Sequence, residues 1–165
     1  MKVRFLLDTD EAHALLQRAA DAMLDTTPLM AQIGEYMVDS TKQRFQSGTS
    51  PDGTPWEPNS LAPISRQGGA RPLWGASGNL SSRIDTIPTR NAVSWGSPLR
   101  YAAVQQFGAS KGSFGSFSGV DKNGRPFSGA APWADIPARP FIGVSQTDEA
   151  NLKDLIGEWL ESALS

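Results

Sequence analysis

The chain contains no cysteine and a single histidine, His13. Without thiols there is no disulfide framework and no thiolate metal site. A lone imidazole with no carboxylate at metal-ligand spacing leaves zinc without its usual donor set. A basic excess is missing too, with 15 Lys and Arg against 17 Asp and Glu and a formal charge of −2. Arg66, Arg71, Arg83, Arg90 and Arg100 stand singly, so nothing announces the clustered cations on which nucleic-acid binding depends. No stretch approaches the roughly 20 apolar residues that a bilayer-spanning helix needs. The apolar run at Val3–Leu7 is too short for the core of a secretion signal. These absences predict a soluble, non-exported protein made in a reducing cytoplasm.

What is present suits one domain with a real core, at 165 residues, 16 of them Gly and 12 Pro, with five Trp. Val3–Leu7 reads as a short strand. Asp8, with Glu11 three residues later, reads as a capped helix start, followed by an apolar stripe of Ala12, Leu15, Leu16, Ala19 and Met23. Thr27-Pro28 opens a second helix, because Pro loses nothing in a first turn. Leu29, Ile33, Met37 and Phe45, flanked by Met30 and Tyr36, mark its buried side, and Gly48 ends it. Ser50-Pro51-Asp52-Gly53 is a tight turn. From Thr54 to Pro72 the prolines and Gly68-Gly69 exclude regular helix.

A short helical turn after Ser77-Gly78 and then a strand are expected between Leu73 and Ile87. Thr89-Arg90-Asn91 turns the chain into a return strand at Ala92–Gly96. Tyr101–Phe107 fits a short helix or a third strand. The span 108–135 is rich in Gly and Ser but carries Phe114, Phe117, Phe127 and Trp133, with a tight-turn signal at Asn123-Gly124. An inert linker gains nothing from aromatics. The span therefore reads as an arm or hairpin that orders against a partner, the alternative being a loop whose aromatics fold back onto the domain. Thr147 is placed to cap a last helix, with Asp148 and Glu149 in its first turn. Its apolar face is Leu152, Leu155, Ile156, Trp159, Leu160 and Ala163. The whole, residues 1–165, predicts a single α+β domain: a small, mainly antiparallel sheet with two N-terminal helices, a C-terminal helix and an arm at 108–135.

Catalytic patterns fail one by one. Gly75-Ala76-Ser77-Gly78-Asn79 lacks the final Gly of a nucleophile elbow. Gly108–Ser113 has the letters of a phosphate loop without its spacing. Asp121-Lys122-Asn123-Gly124 opens like a calcium loop, but no Glu follows at its twelfth position. The acidic residues show no pairing suited to general acid–base work. No catalytic residue, cofactor or metal is expected.

Four pieces then carry a resemblance. The first is Arg44-Phe45, Gly48 and the turn Pro51-Asp52-Gly53-Thr54-Pro55-Trp56. The second is Leu73 with Ser77-Gly78-Asn79-Leu80, and the third is Tyr101-Ala102-Ala103-Val104-Gln105-Gln106-Phe107-Gly108. The fourth is Ile136-Pro137-Ala138-Arg139-Pro140-Phe141-Ile142-Gly143. In this order and rough spacing they resemble the phage virion morphogenesis family, the tail-completion and head–tail joining proteins of Mu-like and P2-like tailed phages. The departure is Gln105, where such proteins are expected to carry His. In physical terms, Trp56 is placed to anchor its turn on the second helix. Phe141 is expected to point inward, and Arg139 to pair with a carboxylate of its own domain or of a neighbouring subunit.

The resemblance implies a structural virion protein that completes or terminates the tail and joins it to the head as a ring, with six copies suggested by tail symmetry. Its partners would be itself, the tail tube and neck or connector proteins, with passive contact to DNA in the lumen and none with membrane. It would be assembled in the host cytoplasm and end at the head–tail junction or tail end of the virion. Phe114, Phe117, Phe127 and Trp133 are the expected subunit contacts. The alternatives are a neck adaptor or stopper between portal and tail, and a virion-associated enzyme, which would need a cleft of convergent acidic residues or acidic residues together with His13.

Overall fold

A computed structural model describes residues 9–59, 72–74, 78–132 and 134–164. The elements run α1 (Asp10–Leu24), α2 (Thr27–Ser47), α3 (Asn79–Ser82), β1 (Asp85–Pro88), β2 (Val93–Gly96), α4 (Ala102–Phe107), β3 (Ser116–Val120), β4 (Pro126–Ala130) and α5 (Gln146–Leu164). The mixed α+β class with antiparallel strands is the one expected; among the described residues the strands form two separate two-stranded sheets, β1–β2 and β3–β4. The strand expected at Val3–Leu7 and the capping residue Asp8 lie outside the described residues.

α2 is the central element. Pro28 occupies its first turn, and Gly48 closes it in the left-handed region at φ +72°, where a residue without Cβ is unstrained. The β1–β2 hairpin and α3 pack against it, as does α5. The close approach of the hairpin depends on Gly34, where a Cβ would stand 2.2 Å from Thr86 Oγ1 and 2.9 Å from Val93 Cγ2. The hairpin register pairs Thr86 with Trp95 and Pro88 with Val93. Those residues share one face of the sheet, the face turned to α2, while Ile87 lies on the other face and is exposed.

The core gathers Val38, Phe45, Trp56, Leu80, Ile84, Ala102 and Phe141, with Leu73, Trp74, Trp95, Leu99 and Ile142 packed on it. Phe45 meets Trp56 edge-on at 5.6 Å between centroids and Phe141 at 5.2 Å. Each such aromatic contact adds about 1 kcal/mol to the burial itself.

α1 departs from expectation. It begins at Asp10 after Thr9, whose side chain makes no capping bond, and it contains no buried residue. It packs on α5 but leaves Leu16, Met23 and Leu24 at least 60 % exposed. The apolar periodicity reports an amphipathic helix truthfully; it does not say whether the same chain supplies a cover. Tyr101–Phe107 resolves as helix, since six of its residues form α4. No helix among the described residues is long and apolar enough to cross a membrane.

Candidate functional site

The four motif pieces converge, and the fourth is the seam that receives the other three. Trp56 Nε1 donates to the Pro140 carbonyl at 2.9 Å. Arg139, buried, donates through Nε to the Glu57 carbonyl (2.8 Å) and through Nη2 to the Pro58 carbonyl (3.0 Å). The expected carboxylate partner is thus corrected to two backbone carbonyls. Main-chain oxygens offer a buried guanidinium neutral acceptors fixed in place, where a carboxylate would itself have to be desolvated. Burial pulls the Arg139 pKa down from its usual value, against the opposing charge of Glu57.

Pro51 sits against Gly143, where a Cβ would come within 2.7 Å of its Cγ. Asp52 caps its own turn through the Thr54 N–H. That bond and its companions hold the Asp52 carboxyl below its usual pKa. Gly53 takes φ +84°.

The third piece is stitched to the fourth through its backbone and through Gln106. Arg139 N donates to the Gln105 carbonyl at 2.8 Å, and Ala109 bridges Ile136. Gly108, at φ +74°, lies so close that a Cβ would be 2.7 Å from the Ile136 carbonyl. Gln106 Oε1 accepts from the N–H groups of Phe141 (2.9 Å) and Ile142 (3.0 Å), while its Nε2 donates to the Ile142 carbonyl at 2.9 Å. Sequence reasoning watched Gln105 and missed Gln106. Leu80 and Ala102 are buried in the core, Leu73 is partly buried, and Gly78 precedes α3 at φ +60°. Tyr101 is exposed, and Pro137 is half-buried within the seam. Ser77 lies outside the described residues.

A polar hub locks α5 to this frame. Arg44, buried in the last turn of α2, pairs with the buried Asp148. Its Nη1 donates to the Phe141 (3.0 Å) and Gly143 (2.8 Å) carbonyls. Asp148 also accepts from Tyr36 Oη (2.9 Å), Ser40 Oγ (2.6 Å) and the Ser145 N–H and hydroxyl (2.7 Å each). Burial pushes its pKa up. The hydrogen bonds from Ser40, Ser145 and Tyr36 outweigh that and bring it down to about 2. The cap is Ser145 rather than the expected Thr147: Ser145 Oγ accepts from the Asp148 N–H at 3.1 Å, and Asp148 reaches back to the Ser145 N–H. That is a reciprocal capping box.

The arm is an ordered hairpin standing beyond this frame. From the Ala109–Ile136 bridge its ladder continues through Gly112 N to the Pro132 carbonyl and Phe114 N to the Ala131 carbonyl, into β3–β4. Phe117 faces Gly129, Ser118 faces Ser128, and Gly119 faces Phe127. The triplet Phe-Ser-Gly occurs in both strands, so the antiparallel register lays each ring over the other strand's glycine. A Cβ on Gly129 would be 2.9 Å from the Phe117 ring, and one on Gly119 would be 2.9 Å from the Phe127 ring. The two rings meet edge-on at 6.2 Å. They remain 43 % and 48 % exposed, and Phe114 60 %. Trp133 lies outside the described residues.

His13 is exposed on α1. Among the described residues no His, Cys, Asp and Glu group together in a way that would hold a metal ion.

The described residues thus form an α+β frame whose polar side chains hold its own backbone, with an aromatic hairpin outside its core. The chain is a member of the phage virion morphogenesis family, whose model matches residues 7–161. It is 29 % identical over 154 residues to the Mu-like prophage FluMu G protein 2 of Haemophilus influenzae, covering 93 % of this chain and 92 % of that protein. It is also 29 % identical over 133 residues to protein G of Escherichia phage Mu, named for capsid assembly, covering 78 % and 75 %. No solved structure gives a significant match.

Proposed function

We propose that this virion morphogenesis protein completes or terminates the phage tail and joins it to the head, as a closed ring of identical subunits for which tail symmetry suggests six copies. The carrying observation is the division of labour between the stitched frame and the β3–β4 arm, whose rings stay half-exposed on an ordered hairpin. A two-stranded hairpin is marginal alone, and its exposed aromatics gain most when a partner buries them. A contact between an arm and a different surface of the next copy is head-to-tail, and such a contact gives a ring when the rotation between copies closes.

The neighbours in this reading are the tail tube and the neck or connector proteins, and the protein ends in the virion at the head–tail junction. DNA passing through the lumen would make only passive contact. The role is structural and not enzymatic, in keeping with His13 standing alone on an exposed helix. A second reading is a neck adaptor or stopper between portal and tail; the name of the phage Mu relative, which speaks of capsid assembly, favours this head side of the same junction.

Deleting Ser110–Gly129 is expected to leave a folded chain that sediments as a monomer and fails to restore tailed particles in a phage lacking the protein. Rings of unchanged size from the deleted chain would refute the arm's role. Immunogold labelling of purified virions separates the junction from other positions.

A further inference from the structure

We propose that the tip of the β3–β4 arm of one copy docks into a groove between α2 and β1 of a second copy. This rests on the arm being the subunit contact and adds the surface it meets. The arm is charged opposite to the rest of the chain. Residues 109–132 hold Lys111, Lys122 and Arg125 against Asp121 alone, a net +2, within a chain of −2, so the remainder carries −4. At the tip the Asp121 carboxylate is turned inward, accepting from the N–H groups of Asn123 and Arg125 at 2.8 Å each. Lys122 and Arg125 are left as the outward charges. Beside them Val120 is 66 % exposed and is paired across the hairpin with Pro126. The tip is therefore a small apolar surface flanked by two cations.

The groove has the complementary chemistry. It encloses about 440 Å³, with Glu35, Asp39 and Asp85 on its rim against one cation among the described lining residues, Lys42. Val38 and Ile84, both buried members of the core cluster, form its floor. Apolar floor meets apolar tip, and three carboxylates meet two cations. This is the arrangement that steers encounter and rejects wrong partners. Because tip and groove are different patches, the contact propagates head to tail, as a ring requires. The occupant is a second copy of this chain, since the arm is the matching surface that the chain itself carries.

The test is a charge exchange read by light scattering on the full chain across concentration. K122E/R125E alone and E35K/D39K alone are each expected to raise the dissociation concentration about tenfold or more, and their combination in one chain to recover most of that loss. Unchanged melting curves establish that each variant folds. Mixing single-cysteine variants N123C and K42C with a short bis-maleimide, clean in a chain without native cysteine, is expected to give a heterodimer. If the arm reversal weakens assembly and the groove reversal does not, the arm meets another surface and the proposal is overturned while the ring reading stands. If a chain carrying both cysteines cross-links only within itself, the arm folds back and the proposal is overturned. A wild-type chain that stays monomeric, together with cysteine variants that form no heterodimer, overturns the proposal and the ring reading together.

Discussion

Asp148 gathers hydrogen bonds from Tyr36, Ser40, Arg44 and Ser145. Its folded pKa of about 2 lies below the ordinary carboxylate value of 3.8. A depressed pKa means that the stability it contributes is fully present above about pH 4 and is lost as pH falls toward 2. The shift corresponds to about 2 kcal/mol. D148N removes the charge and strands Arg44 in its buried position. Breaking one partner of a buried pair typically costs about 3–5 kcal/mol. Thermal melts at pH 7 should therefore fall clearly in D148N, and its melting temperature should lose much of its dependence on pH between 4 and 2. An acid limb as steep as in the unaltered chain would mean that Asp148 is not the group responsible. None of this was readable in the sequence beyond a favourable charge at a helix start. Arg44 and Asp148 are 104 residues apart, and a single sequence carries no signal that links them. Gln106 was equally hidden, because a polar residue on a short helix looks solvated until the loop it feeds is known.

At the scale of elements, local rules did well wherever the cause was local. Pro28 at the start of α2, Gly48 at its end, Gly53 in its turn and Asn123-Gly124 in the arm all sit where their backbone preferences put them. The Asn123-Gly124 turn signal announced a hairpin, but the pairing of the two Phe-Ser-Gly triplets depends on register, which sequence spacing alone leaves open. Burial was the weak point: α1 has a good apolar stripe and no buried residue. The arm's register yields a prediction confined to one element. Valine at position 119 would meet the Phe127 ring, already 2.9 Å from where its Cβ would stand, and push that ring off the hairpin. G119V should leave the main unfolding transition within about 0.5 kcal/mol of the unaltered chain, as expected for a change outside the core. Chymotrypsin should nonetheless cut after Phe117 or Phe127 several times faster. A loss of overall stability with no change in cleavage would show that the arm is part of the core after all.

On the scale of the whole molecule, the two halves of the charge distribution decide how assembly responds to solution conditions. The span 109–132 is net +2 and the remainder net −4, so in the proposed assembly the arm of one copy is attracted to the body of the next while bodies repel one another. At about 0.15 M salt the screening length is roughly 8 Å, shrinking to about 3 Å at 1 M. Both effects are screened, but the proposed tip-to-groove contact, close and partly desolvated, would be screened less than the long-range repulsion. Aromatic burial by the arm does not depend on charge at all. Raising salt from about 0.05 to 0.5 M should thus slow association markedly, by loss of steering, while changing the dissociation rate little. Stopped-flow light scattering measures the first and dilution of the assembled protein the second. Dissociation that accelerates in step with the slowed association would mean that the contact is held by charge rather than by Phe117, Phe127 and Val120, and would move the weight of the interface from the arm's aromatic face to its cations.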